Sequence, residues 1–272
     1  MTISVYGGTG FIGGVFCRKY PDDVIKIKRE IRKPKSKEIL YFISTTSNYN
    51  VLKSLSMDVD NNISVLIETL ENCKDKGLVF NYISTGFVYG NDIINAVETD
   101  NCNPGGFYSI TKRSAEMLLI SFCETFNVKY RILRLANVYG TEDLESSGQK
   151  NVLGFLIGLL KENKEISLYD GGDVLRDYLH VEDVCSAIKL VLERGEVNNI
   201  YNIASGKPQK FYDIIMSAKQ YLGSNSNIIP IEAPEFYKKT QAKNFSLNID
   251  KLKNLGFEEK IYLEDGIKLL CR

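Results

Sequence analysis

A glycine-rich turn placed directly after the first apolar stretch constrains this chain more than any other feature. Ile3–Tyr6 predicts a β-strand, and a helix is predicted to begin near Phe11. Glycines follow the strand at intervals of three residues, Gly7, Gly10 and Gly13, and the last of them lies in the first turn of the helix. Glycine permits a tight turn and close approach of the backbone to a ligand, and the N-terminus of the following helix offers free N–H groups. The turn therefore indicates a binding site for a dinucleotide pyrophosphate; the alternative is a tight strand–helix turn that binds nothing.

Strands and helices alternate along the first part of the chain. The predicted strands are Ile3–Tyr6, Val24–Lys28, Glu38–Ser44, Leu78–Ser84 and Lys129–Leu135, with a late strand at Asn198–Ile203. The predicted helices are Phe11–Tyr20, Met57–Lys74 and Phe107–Phe126. Near-continuous apolar strands between helices are typical of a parallel sheet covered on both faces. Right-handed crossovers then predict an α/β fold with a doubly wound parallel sheet.

The alternation weakens after Gly140. Residues 141–151 are polar, with Ser146, Ser147 and Gly148 at their centre, and predict a loop. Helix candidates at Phe211–Leu222 and Lys251–Leu255 predict a smaller C-terminal lobe. We expect residues 1–140 to form the dinucleotide-binding portion, with residues 176–204 returning to it. Residues 141–175 and 205–272 are then expected to form a smaller substrate-binding lobe.

The charge and cysteine content narrow the classes of partner. Lys and Arg number 34 and so do Asp and Glu, so the formal net charge is zero; no global field favours nucleic acid or an anionic membrane. The apolar segment Val152–Leu160 is too short to span a bilayer, and no signal peptide is apparent. The six cysteines are widely spaced and His180 is the single histidine, so no metal site is predicted. We expect free thiols and a cytoplasmic protein.

The end of the second predicted strand bears on the choice between NAD and NADP. An acidic residue at this place would bind the 2′-hydroxyl of the adenosine ribose. Here the strand ends in Lys28 and Arg29, Arg32 and Lys33 follow, and Glu30 is the one acid close by. Cations suit a 2′-phosphate, so NADP(H) is favoured over NAD; the alternative is a solvated basic loop.

A tyrosine and a lysine four residues apart open the second long helix. Tyr108 and Lys112 fall on one helical face at this spacing. A lysine ammonium beside the phenol would lower the pKa of the tyrosine, which could then exchange a proton with a sugar hydroxyl. The hydroxyls of Ser84 and Thr85 follow the preceding strand, where ligands of such sheets bind. The alternatives are an interfacial tyrosine with a surface lysine, and a strand-end threonine that caps local backbone.

With these residues the chain resembles the extended short-chain dehydrogenases/reductases, the NAD-dependent epimerase/dehydratase family. The matching blocks, in the family's order, are GGTGFIG at Gly7–Gly13, STGFVYG at Ser84–Gly90, YSITK at Tyr108–Lys112, LRLANVYG at Leu133–Gly140, RDYLHVEDV at Arg176–Val184 and YNIASG at Tyr201–Gly206. Together they cover essentially the whole chain. The resemblance implies a Rossmann fold, an NAD(P) cofactor and a nucleotide-diphosphate sugar as substrate.

The resemblance also implies roles for single residues. Tyr108 would be the catalytic acid/base, Lys112 its partner and a contact of the nicotinamide ribose, and Thr85 the family's Ser/Thr. The implied cofactor-binding residues are Gly7, Gly10, Phe11, Ile12, Gly13, Lys28, Arg29, Asn62, Ser84, Tyr108 and Lys112. The implied substrate-binding residues are Thr85, Phe87, Asn137, Asn151, Tyr169 and Arg176. Of these, Tyr169 would contact the nucleobase and Arg176 the pyrophosphate, unless Arg176 forms a structural pair with Asp177 or Asp183.

Two departures from the family's pattern reduce the number of reactions that this chain is expected to catalyse. Relatives that dehydrate or decarboxylate tend to have an acid after the Ser/Thr, where this chain has Gly86 and Phe87. No cysteine stands there as a base, which argues against a 3,5-epimerase/reductase. A 4-epimerase or a 4-ketoreductase remains, and NADP(H) would favour the reductase. The stretch between the second and third strands is short, which predicts that one helix of the family's fold is lost or reduced here. The contacts with the adenosine of the cofactor would then differ from those of the family.

Other readings and the oligomeric state stay open at this point. A non-catalytic dinucleotide-binding sensor of the same fold is the main alternative function; an RNA-binding relative lacks an electrostatic footprint. The wide apolar stripes of Met57–Lys74 and Phe107–Phe126 resemble helices that pair across a dimer in this family. A homodimer is therefore expected, with burial against the chain's own sheet as the alternative.

Overall fold

The fold is given by a computed structural model that describes residues 1–74, 77–143, 147 and 150–272. Its strands are β1 (Ile3–Tyr6), β2 (Val24–Lys26), β3 (Glu38–Tyr41), β4 (Val79–Thr85), β5 (Ile93–Ala96), β6 (Lys129–Leu135), β7 (Asn137–Tyr139), β8 (Ile166–Tyr169), β9 (Leu175–Arg176), β10 (Tyr178–His180), β11 (Asn199–Ile203), β12 (Gln209–Lys210), β13 (Ile228–Ile231) and β14 (Phe245–Leu247). Its helices are α1 (Phe11–Lys19), α2 (residues 57–70, with a π-helical turn at Asp60–Ser64), α3 (Phe107–Phe126), α4 (Val152–Lys161), α5 (Val181–Arg194), α6 (Phe211–Leu222), α7 (Glu235–Thr240), α8 (Asp250–Asn254) and α9 (Leu263–Cys271). Short 3-10 turns lie at Asn48–Leu52 and Gly86–Val88.

One central sheet of six parallel strands organises the molecule. The strand order is β11-β6-β4-β3-β1-β2, and every neighbouring pair is parallel. The chain leaves β1 for β2 on one side and returns to β3 on the other side of β1, so the strand order reverses there. Ligands of such sheets bind in the crevice that the reversal opens at the carboxyl ends of the strands. The predicted doubly wound parallel α/β fold is confirmed.

Helices cover both faces of the sheet, because side chains alternate along each strand between two apolar layers. On one face α1 and α5 pack against Ile3, Val5, Leu133 and Ile203. On the other face α2 and α3 pack against Tyr41, Phe80, Tyr82 and Ile132. Full burial of side chains of this size stabilises the fold by about 1.5–3 kcal/mol each.

The second long helix agrees with its predicted bounds, Phe107–Phe126. Gly106 precedes it with φ +79°, and Asn127 ends it in the left-handed conformation, φ +54°. Glycine and asparagine adopt these backbone conformations at least cost, so both helix ends are encoded locally. This placement fixes Tyr108 in the first turn of α3.

A third apolar cluster lies in the C-terminal part of the chain. α4, α6 and α9 enclose it with Ile166 and Leu168 of β8. The predicted lobe boundary differs from this packing at one place. Residues 245–257 were expected in the lobe, but Phe245, Leu247 and Leu252 lie in the cluster beneath the central sheet. Across the described residues, none of the helices has the length and apolar character needed to cross a lipid bilayer.

The remaining sequence predictions differ from the structure mainly at element ends. β2 stops at Lys26 rather than Lys28, and β3 stops at Tyr41 rather than Ser44. Residues 27–37 contain neither helix nor strand, in agreement with the predicted loss of a helix. α2 ends at Leu70 instead of Lys74. Of the predicted loop 141–151, residues 144–146, 148 and 149, including Ser146 and Gly148, lie outside the described residues.

Candidate active site

The glycine turn between β1 and α1 leaves room for a phosphate. Gly7 has φ +75°, and its carbonyl accepts a hydrogen bond from the Gly10 amide at 3.1 Å. A Cβ on Gly13 would lie 2.4 Å from the Gly7 oxygen, so only glycine fits where the helix crosses the turn. Gly10 begins α1 without any side-chain cap, which leaves the first helical N–H groups, including those of Phe11 and Ile12, to a ligand. The geometry fits a dinucleotide pyrophosphate.

The segment after β3 forms the wall of the crevice opposite α1. The ideal Cβ position of Gly7 lies 3.1 Å from the Ile43 nitrogen, so the two chain segments touch. Asn62 holds the next residues in place: its Oδ1 accepts from the Thr45 amide at 2.8 Å, and its Nδ2 donates to Thr111 Oγ1 at 2.9 Å. The side chain is fully buried. The structure therefore gives Asn62 a role in shaping the wall, and the predicted direct contact with the cofactor stays a prediction.

The basic residues after β2 lie on the surface at the edge of the sheet. Lys28 and Arg29 are exposed, while Arg32 is bound to Glu68 of α2 at 2.9 Å. Sequence reasoning missed Lys26, because it extended the strand past this residue. The Lys26 side chain lies 3.5 Å from the ideal Cβ position of Gly8, directly beside the glycine turn. Lys26 is the last residue of β2, so it is the cation that stands at the end of the second strand.

Tyr108 and Thr85 come together at the carboxyl end of β4. The Thr85 hydroxyl lies close enough to the phenol to lower the pKa of Tyr108, and Thr85 Oγ1 accepts a hydrogen bond from the Phe87 amide at 3.3 Å. Burial raises the pKa of Tyr108 to about 12, the Thr85 hydroxyl opposes this, and the charge of Asp58 adds to it. The expectation that the pKa of Tyr108 is lowered is therefore wrong for this structure, because desolvation outweighs every other effect.

The position of the Lys112 amine explains why it does not lower the pKa of Tyr108. Its ammonium donates to the Ile83 carbonyl at 2.6 Å and lies 4.1 Å from the centre of the Tyr82 ring. Burial lowers the pKa of Lys112 to about 7, and Glu116 opposes that shift. Lys112 and Tyr108 do occupy the same helix face, but the amine is bound to β4 rather than directed at the phenol.

Ser84 contributes an unpaired hydroxyl to the same region. Its Oγ is buried and has no hydrogen-bond partner among the described residues. A buried hydroxyl without a partner costs about 1–3 kcal/mol. A ligand atom or a water molecule at the end of β4 would remove this cost, which fits the cofactor contact predicted for Ser84.

Two of the predicted substrate-binding asparagines are engaged in the fold. Asn137 Nδ2 donates to the Asp177 carbonyl at 3.0 Å. Asn151 caps α4, since its Oδ1 accepts from the Gly154 amide at 3.0 Å. Phe87 packs on Phe245 with 4.7 Å between ring centres. A substrate contact of these three residues stays a prediction.

Tyr169 and Arg176 are joined by a residue that the sequence did not single out. Tyr237 of α7 lies 4.7 Å from Tyr169 between ring centres, and its hydroxyl is 3.4 Å from Arg176 Nη2. Arg176 also donates to the carbonyls of Ala242 and Lys243, each at 2.7 Å. Among the described residues Arg176 forms no ion pair with Asp177 or Asp183, because its guanidinium bonds go to Tyr237 and to backbone carbonyls. No local pattern marks Tyr237; only the tertiary fold places it here.

Comparison with known proteins identifies the family of the chain. A family model described as "NAD dependent epimerase/dehydratase family" matches residues 50–204, which is more than half of the chain. The chain belongs to the NAD-dependent epimerase/dehydratase family. The matched range contains Thr85, Tyr108, Lys112 and Arg176, and the glycine turn precedes it.

Individual relatives of this family differ in the reaction that their names state. The chain is 29% identical over 238 residues to a trifunctional UDP-glucose 4,6-dehydratase/UDP-4-keto-6-deoxy-D-glucose 3,5-epimerase/UDP-4-keto-L-rhamnose-reductase of Arabidopsis thaliana, covering 85% of this chain and 34% of that protein. It is 27% identical over 245 residues to a dTDP-glucose 4,6-dehydratase of Mycobacterium tuberculosis, covering 75% and 72% of the two chains. The chain thus spans about a third of the length of the plant relative. The fold is similar to that of a UDP-glucose 4-epimerase of Thermotoga maritima, with a TM-score of 0.89, 24% identity, and coverage of 100% of this chain and 97% of that one.

The ionisable groups of this family member do not suggest a metal. Among the described residues, no group of three or more His, Cys, Asp or Glu side chains is arranged to hold a metal ion. His180 caps α5 instead, since its Nδ1 accepts from the Glu182 amide at 3.3 Å.

Proposed function

We propose that this member of the family is an NAD(P)-dependent oxidoreductase that acts at C4 of the sugar ring of a nucleotide-diphosphate sugar. The observation that carries the proposal is the proximity of the Tyr108 phenol to the Thr85 hydroxyl. The two groups lie at the carboxyl end of β4, in the crevice that also receives the glycine turn of Gly7. A phenol beside a hydroxyl can bind a sugar oxygen and exchange a proton with it.

The residues of the site have two kinds of role, proton transfer and positioning. The nicotinamide, when bound, accepts or supplies a hydride. Tyr108 donates a proton to the C4 oxygen or removes one from it, and Thr85 orients that oxygen through its hydroxyl. Lys112 fixes α3 against β4 through the Ile83 carbonyl, and its amine would bind the nicotinamide ribose when the cofactor is present. Ser84 offers its unpaired hydroxyl to the same cofactor.

The residues after Thr85 support this reaction over sugar dehydration. Gly86 and Phe87 form the turn that follows β4, and Phe87 packs on Phe245. Glycine and phenylalanine can neither donate nor accept a proton, whereas dehydration needs an acid for the departing hydroxyl. Curated relatives include dehydratases, and the proposal that this chain is not one of them depends on Gly86 and Phe87.

The proposed cofactor favours the reductase over the epimerase. Ketone reduction consumes a reduced dinucleotide, whereas epimerisation has no net redox change. We propose NADP(H) as the cofactor, because Lys28 and Arg29 are exposed cations and Lys26 lies beside the glycine turn. A 2′-phosphate would pair with such cations.

The nucleotide part of the substrate is proposed to bind beside Tyr169. The Tyr169–Tyr237 pair offers aromatic faces for a nucleobase, and Arg176 lies next to Tyr237. Binding of a pyrophosphate by Arg176 would replace its bonds to the carbonyls of Ala242 and Lys243. A charge-assisted bond to phosphate is stronger than a bond to a neutral carbonyl, so the exchange is favourable.

A homodimer is proposed on the outer surfaces of α2 and α3. Leu66 and Leu70 of α2 are buried, but five apolar residues on the outer faces of the two helices are between 39% and 57% exposed. These exposed residues are Val59, Ile67, Ile110, Met117 and Leu118. A large exposed apolar patch of this kind is typical of an interaction surface.

The direct test is reduction of 4-keto nucleotide sugars by the purified protein. UDP- and dTDP-4-keto sugars are mixed with NADPH or NADH, and oxidation of the cofactor is followed by its absorbance. The proposal expects turnover that is lost in Tyr108→Phe although the dinucleotide still binds. Tight dinucleotide binding without turnover of any 4-keto sugar or of any C4 epimer pair would favour the non-catalytic sensor.

A further inference from the structure

A short helix, α7, joins the two sides of the crevice at the carboxyl end of the sheet. On the side of the sheet, Tyr49 lies in the turn that follows β3, and its ring centre is 5.3 Å from that of Phe236 in α7. On the other side, Tyr169 ends β8 and lies 4.7 Å from Tyr237, the next residue of α7. The helix therefore lies across the crevice in which ligands of such sheets bind.

Two asparagines attach the end of α7 to the side of the sheet. Asn48 Nδ2 donates a hydrogen bond to the Thr240 carbonyl at 2.7 Å, and Asn91 Nδ2 donates to the Lys239 carbonyl at 3.0 Å. The Oδ1 of Asn48 lies 2.5 Å from the ideal Cβ position of Gly106, the residue that precedes α3. A single side chain thus connects the end of α7 with the start of α3.

Arg176 attaches the segment that follows α7 to the other side of the crevice. Its guanidinium donates to the carbonyls of Ala242 and Lys243, each at 2.7 Å, and its Nη2 lies 3.4 Å from the Tyr237 hydroxyl. In the proposed function this same guanidinium binds the pyrophosphate of the substrate. The same N–H groups cannot be directed at a phosphate and at these carbonyls, so ligand binding competes with the attachment of α7.

Surface contacts, and not a buried core, hold α7 in its place. The helix is six residues long, all of them described, and none of its side chains is buried. A helix of this length is not stable by itself, and segments without buried apolar side chains open locally at a low cost in free energy. α7 can therefore leave the crevice while the apolar clusters beneath it stay intact.

We propose that α7 is a strap that closes the crevice in the ligand-free protein and is released when a nucleoside diphosphate takes Arg176 from the carbonyls of Ala242 and Lys243. The inference rests on the proposed function, because that function assigns the pyrophosphate to Arg176. The bond from Arg176 to the Lys243 carbonyl is exposed, so a phosphate reaches the guanidinium while the strap is still closed. An arginine bonds a phosphate, which carries the opposite charge, more strongly than a neutral carbonyl, and the exchange therefore favours release.

The test uses tryptophan fluorescence, because the chain contains no tryptophan of its own. Phe236→Trp places an indole against Tyr49, and Tyr49→Trp places one on the opposite side of the same contact. Tyr221→Trp, at a position of α6 that is 50% exposed, is the matched control. Emission spectra are recorded before and after addition of UDP, dTDP, GDP, CDP or inorganic pyrophosphate, and circular dichroism establishes that each variant is folded.

The expected result is a shift of the emission of Phe236→Trp and of Tyr49→Trp to longer wavelength with at least one nucleoside diphosphate, because the indole becomes exposed to water. Tyr221→Trp should not respond. Arg176→Met combined with Phe236→Trp should emit at the longer wavelength without any ligand, since it lacks the same two bonds to carbonyls. The proposal is overturned if no compound shifts the emission of a folded reporter, if the control shifts equally, or if the double variant keeps the shorter wavelength.

The fluorescence test and the proposed function fail separately. Nucleoside diphosphates carry no sugar to be reduced, so the reporters respond to binding alone. If the unaltered protein reduces no 4-keto sugar while the reporters shift with a nucleoside diphosphate, the proposed function fails and the strap is retained. If the protein reduces a 4-keto nucleotide sugar but the reporters do not respond to the corresponding nucleoside diphosphate, the strap fails and the proposed function is retained.

Discussion

Two adjacent glycines of α1 allow the glycine turn to be tested without any ligand. Alanine at Gly14 should stabilise the helix, because its Cβ would meet nothing closer than the flexible end of Arg18 at 3.6 Å. Glycine inside a helix costs up to about 1 kcal/mol relative to alanine. Alanine at Gly13 gains the same propensity, but its Cβ would lie 2.4 Å from the Gly7 oxygen and 3.2 Å from Phe42. The Gly7 oxygen is backbone, so the turn itself must move.

The expected difference between the two variants follows from these contacts. Overpacking of a well-packed site costs about 1–3 kcal/mol, so Gly13→Ala should be less stable than Gly14→Ala by about that amount. Urea denaturation followed by circular dichroism measures this difference. Displacement of the Gly7 turn should also weaken dinucleotide binding at least about tenfold, or 1.4 kcal/mol, whereas Gly14→Ala should bind as the unaltered protein does. Equal stability and equal affinity of the two variants would refute the close packing of helix and turn.

Three further predictions concern the lysine, the surface and the cofactor. The pKa of Lys112 is about 7 in the folded protein and near 10.5 in the unfolded chain, so Lys112 lowers the free energy of unfolding increasingly as the pH falls from 10.5 to 7. Lys112→Met should remove this pH dependence, which amounts to at most about 1.4 kcal/mol per pH unit. Urea melts at several pH values measure it, and an unchanged pH dependence in the variant would contradict the prediction. Met117→Glu places a charge on the outer apolar face of α3 and should convert a dimer to a monomer in light scattering; a protein that is already monomeric disproves the dimer. Arg29→Asp should raise KM for NADPH roughly tenfold and leave KM for NADH nearly unchanged, and equal effects on both would exclude 2′-phosphate recognition.

The fold was predictable because its signals are local. Ile3–Tyr6 and Lys129–Leu135 are strands at their predicted positions, since each is a short β-rich run next to a turn. The bounds of α3 follow from Gly106 and Asn127, which favour positive φ. The end of β2 was misplaced, because Ile27 still bonds the Val5 carbonyl through its amide although the strand pattern ends at Lys26.

The chemistry of the site was less predictable, because it depends on contacts between distant segments. The spacing of Tyr108 and Lys112 placed them on one helix face, but no local pattern shows that the Lys112 amine reaches the Ile83 carbonyl. The sequence marks a lysine beside a phenol, while the structure shows that burial controls the pKa of both groups.

The hydrogen bonds that polar side chains form within the fold could not be predicted from the sequence for the same reason. Asn62 looked like a cofactor contact, yet its partners Thr45 and Thr111 lie 17 and 49 residues away along the chain. Arg176 was expected to be available to a pyrophosphate, and its partners are carbonyls of Ala242 and Lys243. Sequence patterns identify the residue types that chemistry needs, and tertiary contacts decide which of them are free to perform it.

The central claim is that a hydride reaches a sugar carbon while Tyr108 donates the proton. The most direct measurement supplies NADPH carrying deuterium at the transferable position of the nicotinamide, together with a 4-keto nucleotide sugar, and locates the deuterium in the product by NMR. Deuterium is expected at C4 of the sugar with the unaltered protein and not with Tyr108→Phe. Deuterium transfer that continues in Tyr108→Phe at the same rate, or a product without deuterium at C4, would contradict it.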